Sequence, residues 1–357
     1  MKNQPLVSVI IPTFNRVKLL PKAIASVVNQ TYDNWELIIV DDRSTDDTKA
    51  LVERFSLKDK RIRYIQNDRR KGPSGARNCG ILNSTGEYIA FLDSDDEWFA
   101  HHLSDSIDIL ENEKVNVSFA LWIENRSGDQ IKFDDQEDIK RKLEKAITVL
   151  KPKIKDNLIF FGEGFYEFTI LENFYCYHIN TMVLRKNIID KVGLLDERLF
   201  ANEDNDFTYR VFHDYEICLI RDYHFLYNEG QDNLYLFIDR SRADIEEISQ
   251  NTDLIEKLTF NGNLENEMRK IRKNYVKKSN KLKNKKMCLE AIDKTIADKY
   301  FTLGYINRIK RKNLALVYYL KALFYNFNKL TLIHIGKLIL PICFSRINIK
   351  IESFDLG

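Results

Sequence analysis

The strongest constraint on the fold is an alternation of two hydrophobic periodicities over the first hundred residues. Short apolar runs rich in β-branched residues, at 6–11 (LVSVII) and 35–40 (WELIIV), end at a proline or an aspartate. Such runs are typical of buried strands in a parallel sheet. The segment 16–30 between them carries leucine, alanine, isoleucine and valine at helical spacing. This rhythm predicts an α/β domain, with a mostly parallel, Rossmann-like sheet flanked by helices on both faces.

The pattern continues along the chain and sets the expected elements. We expect strands at 6–11, 35–40, 61–66, 88–92, 116–123, 181–185, 217–219 and 224–228. We expect helices at 16–30, 75–83, 101–112, 136–150 and 186–192. Two further helices are expected, one with Ser44 as its N-cap and one that follows the acidic loop after residue 200. Beyond about residue 240 the pattern becomes helical, at 243–309, 313–327 and 329–340. These changes predict an α/β domain at 1–240 and a basic, amphipathic, helical region at 241–357.

Polar residues follow three of the predicted strands where each ends. Thr13 and Asn15 follow the first strand, Asp41-Asp42 the second, and Asp93-Ser94-Asp95-Asp96 the strand at 88–92. Ligands of open parallel sheets bind outside the carboxyl ends of the strands, so these groups should line one crevice. Glycine-rich phosphate loops are absent from the sequence. A diphosphate in so acidic a crevice needs a divalent cation, and carboxylate oxygens suit Mg²⁺ or Mn²⁺.

Each acidic group also has a simpler explanation. Asp41-Asp42 alone would more often be a helix-capping turn, and Asp93–Asp96 a solvated loop. Glu203-Asp204 before a helix is ordinarily favourable dipole chemistry. Trp98 either floors an acceptor site or packs in the core. The joint placement of the acidic groups at strand ends favours a functional site.

Four segments, in this order, resemble the successive signatures of family 2 glycosyltransferases. They are LVSVIIPTFNR, WELIIVDDRSTDDT, GPSGARNCGILNSTGEYIAFLDSDD and VGLLDERLFANEDNDFTYR. The resemblance covers roughly residues 5–235 and implies the GT-A fold, a nucleoside diphosphate sugar as donor, with UDP the expected nucleotide, and a divalent metal cofactor, Mn²⁺ or Mg²⁺.

The resemblance also implies roles for individual residues. The nucleotide sugar would be held by Pro12, Thr13, Asn15, Asp42, Asn67, Arg77, Asp93 and Ser94. Asp42 would bond the base edge, Asp95 would ligate the metal at the diphosphate, and Asp204 would be the catalytic base. Glu203 and Trp98 would orient the acceptor.

Two segments depart from the family pattern. The stretch 67–72 (NDRRKG) is longer between its asparagine and glycine than is usual, and the region YNEGQDNLY lacks the late histidine or basic residue that often closes over the phosphates. Arg240 or Arg242 is the candidate substitute for that residue.

The implied mechanism is a single in-line displacement with inversion at the anomeric carbon. Its transition state should have oxocarbenium character, as in glycoside hydrolysis. The metal stabilises the leaving nucleoside diphosphate, and one carboxylate within hydrogen-bond reach accepts the proton of the acceptor hydroxyl. A bacterial surface polysaccharide, built on a saccharide or lipid-linked acceptor, is the usual destination in this family.

Two other functions use the same residues. A nucleotidyltransferase also places aspartates at strand ends, but it would release pyrophosphate rather than a nucleoside diphosphate. A catalytically inactive, nucleotide-sugar-binding scaffold is the non-enzymatic alternative, against which the presence of Asp93, Asp95 and Asp204 argues.

A net charge of +2 conceals two regions of opposite sign. Residues 269–350 hold 21 Lys and Arg against 3 Asp and Glu, whereas residues 1–268 hold 34 against 48. This basic region could be a solvated or oligomer-forming helical face, a nucleic-acid-binding surface, or a surface that binds anionic membrane. Because aromatic and leucine residues at 314–344 alternate with lysines, we favour the membrane surface, with a second copy of the chain as the alternative partner and no nucleic acid.

Three further features bear on the compartment. The five cysteines stand far apart without CxxC spacing, so no disulfide framework or zinc site is expected from them. The N-terminus lacks a signal-peptide pattern, and no apolar run reaches roughly 18 residues. We expect a cytoplasmic protein, peripheral on the inner face of the cell membrane.

Overall fold

The computed structural model of the chain describes residues 4–126, 128–199, 201–228 and 248–339. The chain divides into two compact units, Met1–Gly230 and Gln231–Gly357. The expected domain boundary at 240/241 falls in residues 229–247, outside the described residues, and stays a prediction. The same holds for the start of the helical stretch at 243, for Arg240 and Arg242, and for residues 340–357.

The N-terminal unit alternates strands and helices, as the sequence predicts. Its strands are β1 (Val7–Thr13), β2 (Trp35–Asp41), β3 (Ile62–Gln66), β4 (Tyr88–Phe91), β5 (Glu97–Trp98), β6 (Val117–Arg126), β7 (Asp129–Lys132), β8 (Lys153–Lys155), β9 (Leu158–Phe161), β10 (Val183–Arg185) and β11 (Ile217–Asn228). Its helices are α1 (Leu20–Val28), α2 (Thr48–Lys58), α3 (Pro73–Leu82), α4 (His102–Asn112), α5 (Glu137–Leu150), α6 (Phe165–Leu171), α7 (Ile189–Val192) and α8 (Glu203–Asp214).

One sheet carries this unit, in the order β3-β2-β1-β4-β10-β6-β11-β9-β8. Strands β1 to β4 pair in parallel. The short strand β10 then runs antiparallel between β4 and β6, and beyond it the sheet is mixed. The expected α/β class is confirmed. Because β1, β2 and β4 are parallel neighbours, their carboxyl ends meet at one edge, where the strand-end polar residues lie.

Three of the differences from the sequence expectations have an explanation in the local contacts. Ser44 does not cap α2, whose N-cap position is Asp47; the Ser44 hydroxyl instead accepts a bond from the Asn15 amide, 2.8 Å away. The strands expected at 217–219 and 224–228 are one continuous strand, β11. Its pairing with β6 is irregular between Ile220 and Phe225, so the strand continues through the polar residues there. The β8–β9 hairpin was not expected, since its first strand is fully exposed and lacks an apolar pattern.

The core between sheet and helices is close-packed. Every residue of β2 is buried, and α3 approaches β1 so closely that a Cβ added at Gly80 would lie 2.4 Å from Ile10 Cγ2. This packing fixes α3, and with it Arg77, relative to the strand ends.

The C-terminal unit is helical, as predicted. Its described helices are α9 (Thr252–Lys278), α10 (Lys285–Asn307), α11 (Lys312–Tyr325) and α12 (Lys329–Ile339). Glycines let these helices approach closely, since a Cβ at Gly262 would meet Leu303 at 2.8 Å and one at Gly304 would meet the Tyr319 ring at 2.6 Å. A buried ion pair of 3.0 Å joins Lys299 of α10 to Glu265 of α9. No helix within the described ranges combines the length and apolarity needed to cross a bilayer.

Candidate active site

The end of β2 presents two buried aspartates with different partners. Asp41 accepts bonds from the Ser44 amide at 2.9 Å and the Tyr64 hydroxyl at 2.7 Å. Asp42 accepts from Asn67 Nδ2 at 2.6 Å and from the Gly72 amide at 2.8 Å. Asp42 and Asn67, both expected in the nucleotide pocket, therefore form one hydrogen-bonded unit. Asp42 also ties the 67–72 loop to the sheet edge.

The turn after β1 is held in an unusual backbone conformation. Asn15 has φ 52°, in the left-handed region where asparagine is tolerated. Its side-chain oxygen accepts a bond from the Thr45 amide at 2.7 Å, which fixes this turn against the one that follows β2. Pro12 lies at the same strand end, and the buried Thr13 hydroxyl has no hydrogen-bond partner among the described residues.

A buried arginine joins two of the acidic segments. Arg77 of α3 donates from Nη1 to Glu203 Oε1 at 2.6 Å and from Nη2 to Asp93 Oδ1 at 2.7 Å. Burial disfavours its charge, but the carboxylates of Asp93 and Glu203 outweigh that effect and raise the pKa of Arg77. Its Nε is buried without a partner within the described part of the chain. The strand end of β4 and the start of α8 are thus brought together, although they are about 110 residues apart in sequence.

Glu203, the residue before Asp204, is buried. The pKa of Glu203 is raised to about 7, because burial and the neighbouring Asp204 carboxylate raise it by more than the Arg77 guanidinium lowers it. Asp204 lies in the first turn of α8, half-buried, and its Oδ1 accepts a bond from the Asn205 amide at 2.8 Å. The charges of Asp204 and Asp93 both act on the pKa of His178, which burial lowers. Asp93, Arg77, Glu203 and Asp204 therefore form one electrostatic cluster.

The acidic loop after β4 rests on a residue that the sequence did not reveal. Asn180 accepts a bond from the Asp93 amide at 3.1 Å, donates to Asp96 Oδ2 at 2.6 Å, and accepts at its carbonyl from Trp98 Nε1 at 2.6 Å. Asn180 lies just before a short strand and carries no periodic or motif signal. Its importance follows only from β10 pairing beside β4.

Trp98 is 4% exposed and packs its ring against His102 with centroids 4.4 Å apart. The sequence left two explanations for Trp98, an acceptor site or packing in the core. These contacts show that Trp98 packs in the core. Its role in orienting an acceptor stays a prediction.

The loop offers oxygen donors suited to a hard cation. Ser94 and Asp96 are buried, whereas the side chains of Asp93 and Asp95 are 31% and 22% exposed. Asp96 is committed to Asn180 and the Asn228 amide, and burial together with the Asp95 and Asp93 charges raises its pKa well above the usual value. Arg16 Nη2 lies 4.0 Å from Asp95 Oδ2. Carboxylates gathered this closely repel one another, and a divalent cation at Asp95 would relieve that repulsion, so the donor set fits Mg²⁺ or Mn²⁺.

Comparison with known proteins agrees with this geometry. Residues 8–182 match the model of the family described as Glycosyl transferase family 2. Over 117 residues the chain is 45% identical to UDP-Glc:alpha-D-GlcNAc-diphosphoundecaprenol beta-1,3-glucosyltransferase WfaP of Escherichia coli, a match that covers 33% of this chain and 46% of that protein. The chain spans less than half the length of the curated relatives that it matches.

Two solved structures are similar in fold. S. aureus TarS 1–349 in complex with UDP-GlcNAc has a TM-score of 0.52 and 17% identity, with 93% of this chain and 90% of that one covered. The mannosyltransferase PcManGT from Pyrobaculum calidifontis, in complex with GDP-Man and Mn²⁺, has a TM-score of 0.51 and 17% identity, with 95% and 82% covered. At this identity the likeness establishes the GT-A fold and nothing of the substrate.

Proposed function

Because residues 8–182 match the model of glycosyl transferase family 2, we propose that the chain transfers a sugar from a nucleoside diphosphate donor, with inversion, to a saccharide on a lipid carrier. The observation that carries this proposal is the Arg77 cluster, which joins Asp93 in the loop after β4 to Glu203, the residue before Asp204 at the start of α8. A donor-side carboxylate and a candidate base are thereby held in one site, which transfer from a bound donor requires.

The nucleotide would lie along the ends of β1 and β2. The orphaned Thr13 hydroxyl and the Asp42–Asn67 unit supply polar groups there, and buried polar atoms without a partner are ordinarily satisfied by a ligand or water. Pro12 and Asn15 shape the turn beside them. We expect UDP as the nucleotide, which is also the nucleotide named for the E. coli relative and for the TarS complex.

A divalent ion, Mn²⁺ or Mg²⁺, would be held at Asp95 and would supply charge stabilisation for the leaving diphosphate. Asp93 and Ser94 would hold the sugar and ribose side of the donor. Arg77 and Asn180 keep Asp93 oriented.

Asp204 would accept the proton of the attacking hydroxyl. Asp204 is half-buried and forms no ion pair among the described contacts. Its neighbour Glu203, by contrast, is bonded to Arg77. Glu203 precedes Asp204 in the chain and is held by Arg77, so the acceptor-orienting role proposed for Glu203 would act through its neighbour Asp204.

The acceptor would reach the site at a membrane surface. The E. coli relative is named for a diphosphoundecaprenol substrate, which by its hydrocarbon tail belongs in a bilayer. In the C-terminal unit, α11 and the second residue after its end expose an apolar series with spacings of three and four residues: Val317, Leu320, Phe324 and Phe327. With the many lysines of this unit, such a surface suits the interface of an anionic membrane. A second copy of the chain is the alternative occupant.

The function is tested by incubating the full chain with UDP-, GDP- and dTDP-sugars and Mn²⁺ in the presence of lipid-linked GlcNAc. We expect release of free UDP and extension of the lipid-linked saccharide, both lost in Asp95→Asn. Release of pyrophosphate would indicate nucleotidyl transfer instead. Donor binding without turnover on any acceptor would favour an inactive scaffold.

A further inference from the structure

A cluster of two histidines and one aspartate lies apart from the strand-end carboxylates. His101 and Asp105 stand one turn apart at the start of α4, and His224 faces them from β11. One ligand atom from each of the three lies within 4.8 Å of the other two. We propose that His101, Asp105 and His224 form a second metal site, which takes Zn²⁺ or a similar transition-metal ion.

The buried histidine is the strongest part of this proposal. His224 is fully buried, and its Nε2 has no hydrogen-bond partner within the described ranges. That nitrogen lies 3.8 Å from Asp105 Oδ2, too far for a hydrogen bond and suitable for an ion between the two atoms.

Both histidines have the supporting bonds that metal-binding imidazoles usually have. His101 Nε2 lies 3.1 Å from the Tyr223 carbonyl and donates to it, which leaves His101 one nitrogen lone pair. His224 Nδ1 lies 3.1 Å from His102 Nδ1, and when His224 donates in this pair its Nε2 carries the free lone pair. A second partner on the far ring nitrogen fixes the orientation of a histidine ligand.

The donor set selects the kind of ion. Two imidazoles with one carboxylate suit Zn²⁺ and its neighbours, whereas Mg²⁺ and Mn²⁺ prefer sites made of oxygen. The Asp105 side chain is 43% exposed, so an ion has a path of entry from solvent. The Asp222 carboxylate acts electrostatically on both Asp105 and His224 and adds negative potential that favours a cation.

The site would connect α4 and β11 to the proposed donor site. His102, which bonds His224, packs on the Trp98 ring, and Trp98 is bonded to Asn180 beneath Asp93 and Asp96. A bound ion would therefore brace the layer on which the acidic loop rests, at a distance from the donor itself.

The test measures Zn²⁺ binding to the chelator-treated full chain by calorimetry. It uses both the natural sequence and an Asp95→Asn background, which removes the ligand proposed for Mn²⁺. We expect one Zn²⁺ per chain in both. Asp105→Asn and His101→Gln, changes at partly exposed positions, should each weaken binding at least tenfold. Asp108→Asn, an exposed aspartate on the same helix whose partner is Asn112, is the matched control and should leave binding unchanged.

Two readouts separate this site from a general effect on folding. Co²⁺ in place of Zn²⁺ should give the visible bands of a low-coordinate nitrogen and oxygen site, and these bands should be absent in Asp105→Asn. Zn²⁺ should raise the melting temperature of the parent and not that of Asp105→Asn. Equal Zn²⁺ affinity in Asp105→Asn, His101→Gln and the Asp108→Asn control would overturn the proposal. Binding that vanishes with Asp95→Asn would place the ion at the strand-end carboxylates and would also overturn it.

Discussion

At the scale of single side chains, Arg77 organises the candidate active site. It is buried, it bonds Asp93 and Glu203, and the nearby Asp204 carboxylate favours its charged form. Removing one partner from such a buried cluster leaves the others unpaired, which costs about 3–5 kcal/mol in comparable cases. Substitution of Arg77 would therefore confound stability with donor binding, so the sharper tests use its neighbours.

The first of these tests is Asp204→Asn. We expect at least a hundredfold loss of transfer, because general-base catalysis contributes on the order of 10²–10⁴ and asparagine cannot accept the proton. Binding of the nucleotide sugar, measured by calorimetry, should stay near normal. Asp206→Asn on the same helix is the control, since Asp206 forms an ion pair with Arg210 at 2.9 Å and should affect stability rather than turnover. Retention of more than a few per cent of transfer by Asp204→Asn would remove it from the role of base.

The raised pKa of Glu203 predicts that the stability of the fold depends on pH. In the folded chain this carboxyl keeps its proton up to about pH 7, whereas an ordinary glutamate releases it near 4.5. The folded state thus binds more protons than the unfolded state between these values, and the contribution of Glu203 to stability falls as the pH rises through this window. The melting temperatures of the natural chain and of Glu203→Gln should be compared from pH 5 to 8. As the pH rises, we expect the melting temperature of the natural chain to fall relative to that of the variant. A difference that is constant or grows in favour of the natural chain contradicts the assigned shift.

At the scale of secondary-structure elements, the position of α3 on the sheet determines where Arg77 lies. Gly80→Ala would drive a methyl group against Ile10. We expect a loss of about 1–3 kcal/mol in the free energy of unfolding, since overpacking of a close-packed core costs that much. Chemical denaturation followed by tryptophan fluorescence measures it.

The matched control for that change is Gly162→Ala. The nearest atom to a Cβ at this position is Glu216 Oε1 at 3.6 Å, an ordinary contact. Its effect should stay within about 0.5 kcal/mol. Equal losses at the two glycines would mean that the contact between α3 and β1 does not cause the loss at Gly80, because helix propensity and chain entropy both favour alanine over glycine.

The elements also show how far sequence reasoning reaches. The parallel strands β1, β2 and β4 were predictable, because each is a compact apolar run that ends at a polar group. The meeting of Asp42 with Asn67 follows from two adjacent parallel strands. The role of Asn180 was not predictable, because it depends on the insertion of the three-residue strand β10 between β4 and β6, and nothing local encodes that pairing. The His101–Asp105–His224 cluster was missed for the same reason, since its third member comes from a distant strand.

At the scale of the whole molecule, the separation of charge predicts membrane binding. The turn between α9 and α10 exposes lysines on both sides of it, and a truncation after residue 265 would cut through α9, so a change of charge is the cleaner experiment. The triple change of Lys277, Lys278 and Lys286 to glutamine should weaken binding to anionic vesicles by about fivefold for each lysine, because each contributes about 1 kcal/mol at the surface.

Its control is an equal loss of charge in the N-terminal unit, at the exposed Lys58, Lys60 and Lys151. Vesicle binding is measured by co-sedimentation with anionic and with neutral vesicles. Donor binding is measured by calorimetry. Donor binding should be unchanged in both variants. If both triple variants lose vesicle binding equally, the C-terminal unit is not the membrane surface, and a second copy of the chain becomes the better partner.

The position of β10 in the sheet also has a consequence for biosynthesis. Strand β4 ends at Phe91, but its antiparallel neighbour begins at Val183. A ribosome adds about 5–20 residues per second, so it needs roughly 5–20 s to synthesise the chain between β4 and β10. During that time the edge of β4 that pairs with β10 stays unpaired. An apolar strand edge left open for that time is a site for wrong pairing between nascent chains. Yield of the native protein should therefore depend on translation speed and chaperone supply through residues 92–182, a stretch that lies outside most of the proposed nucleotide pocket.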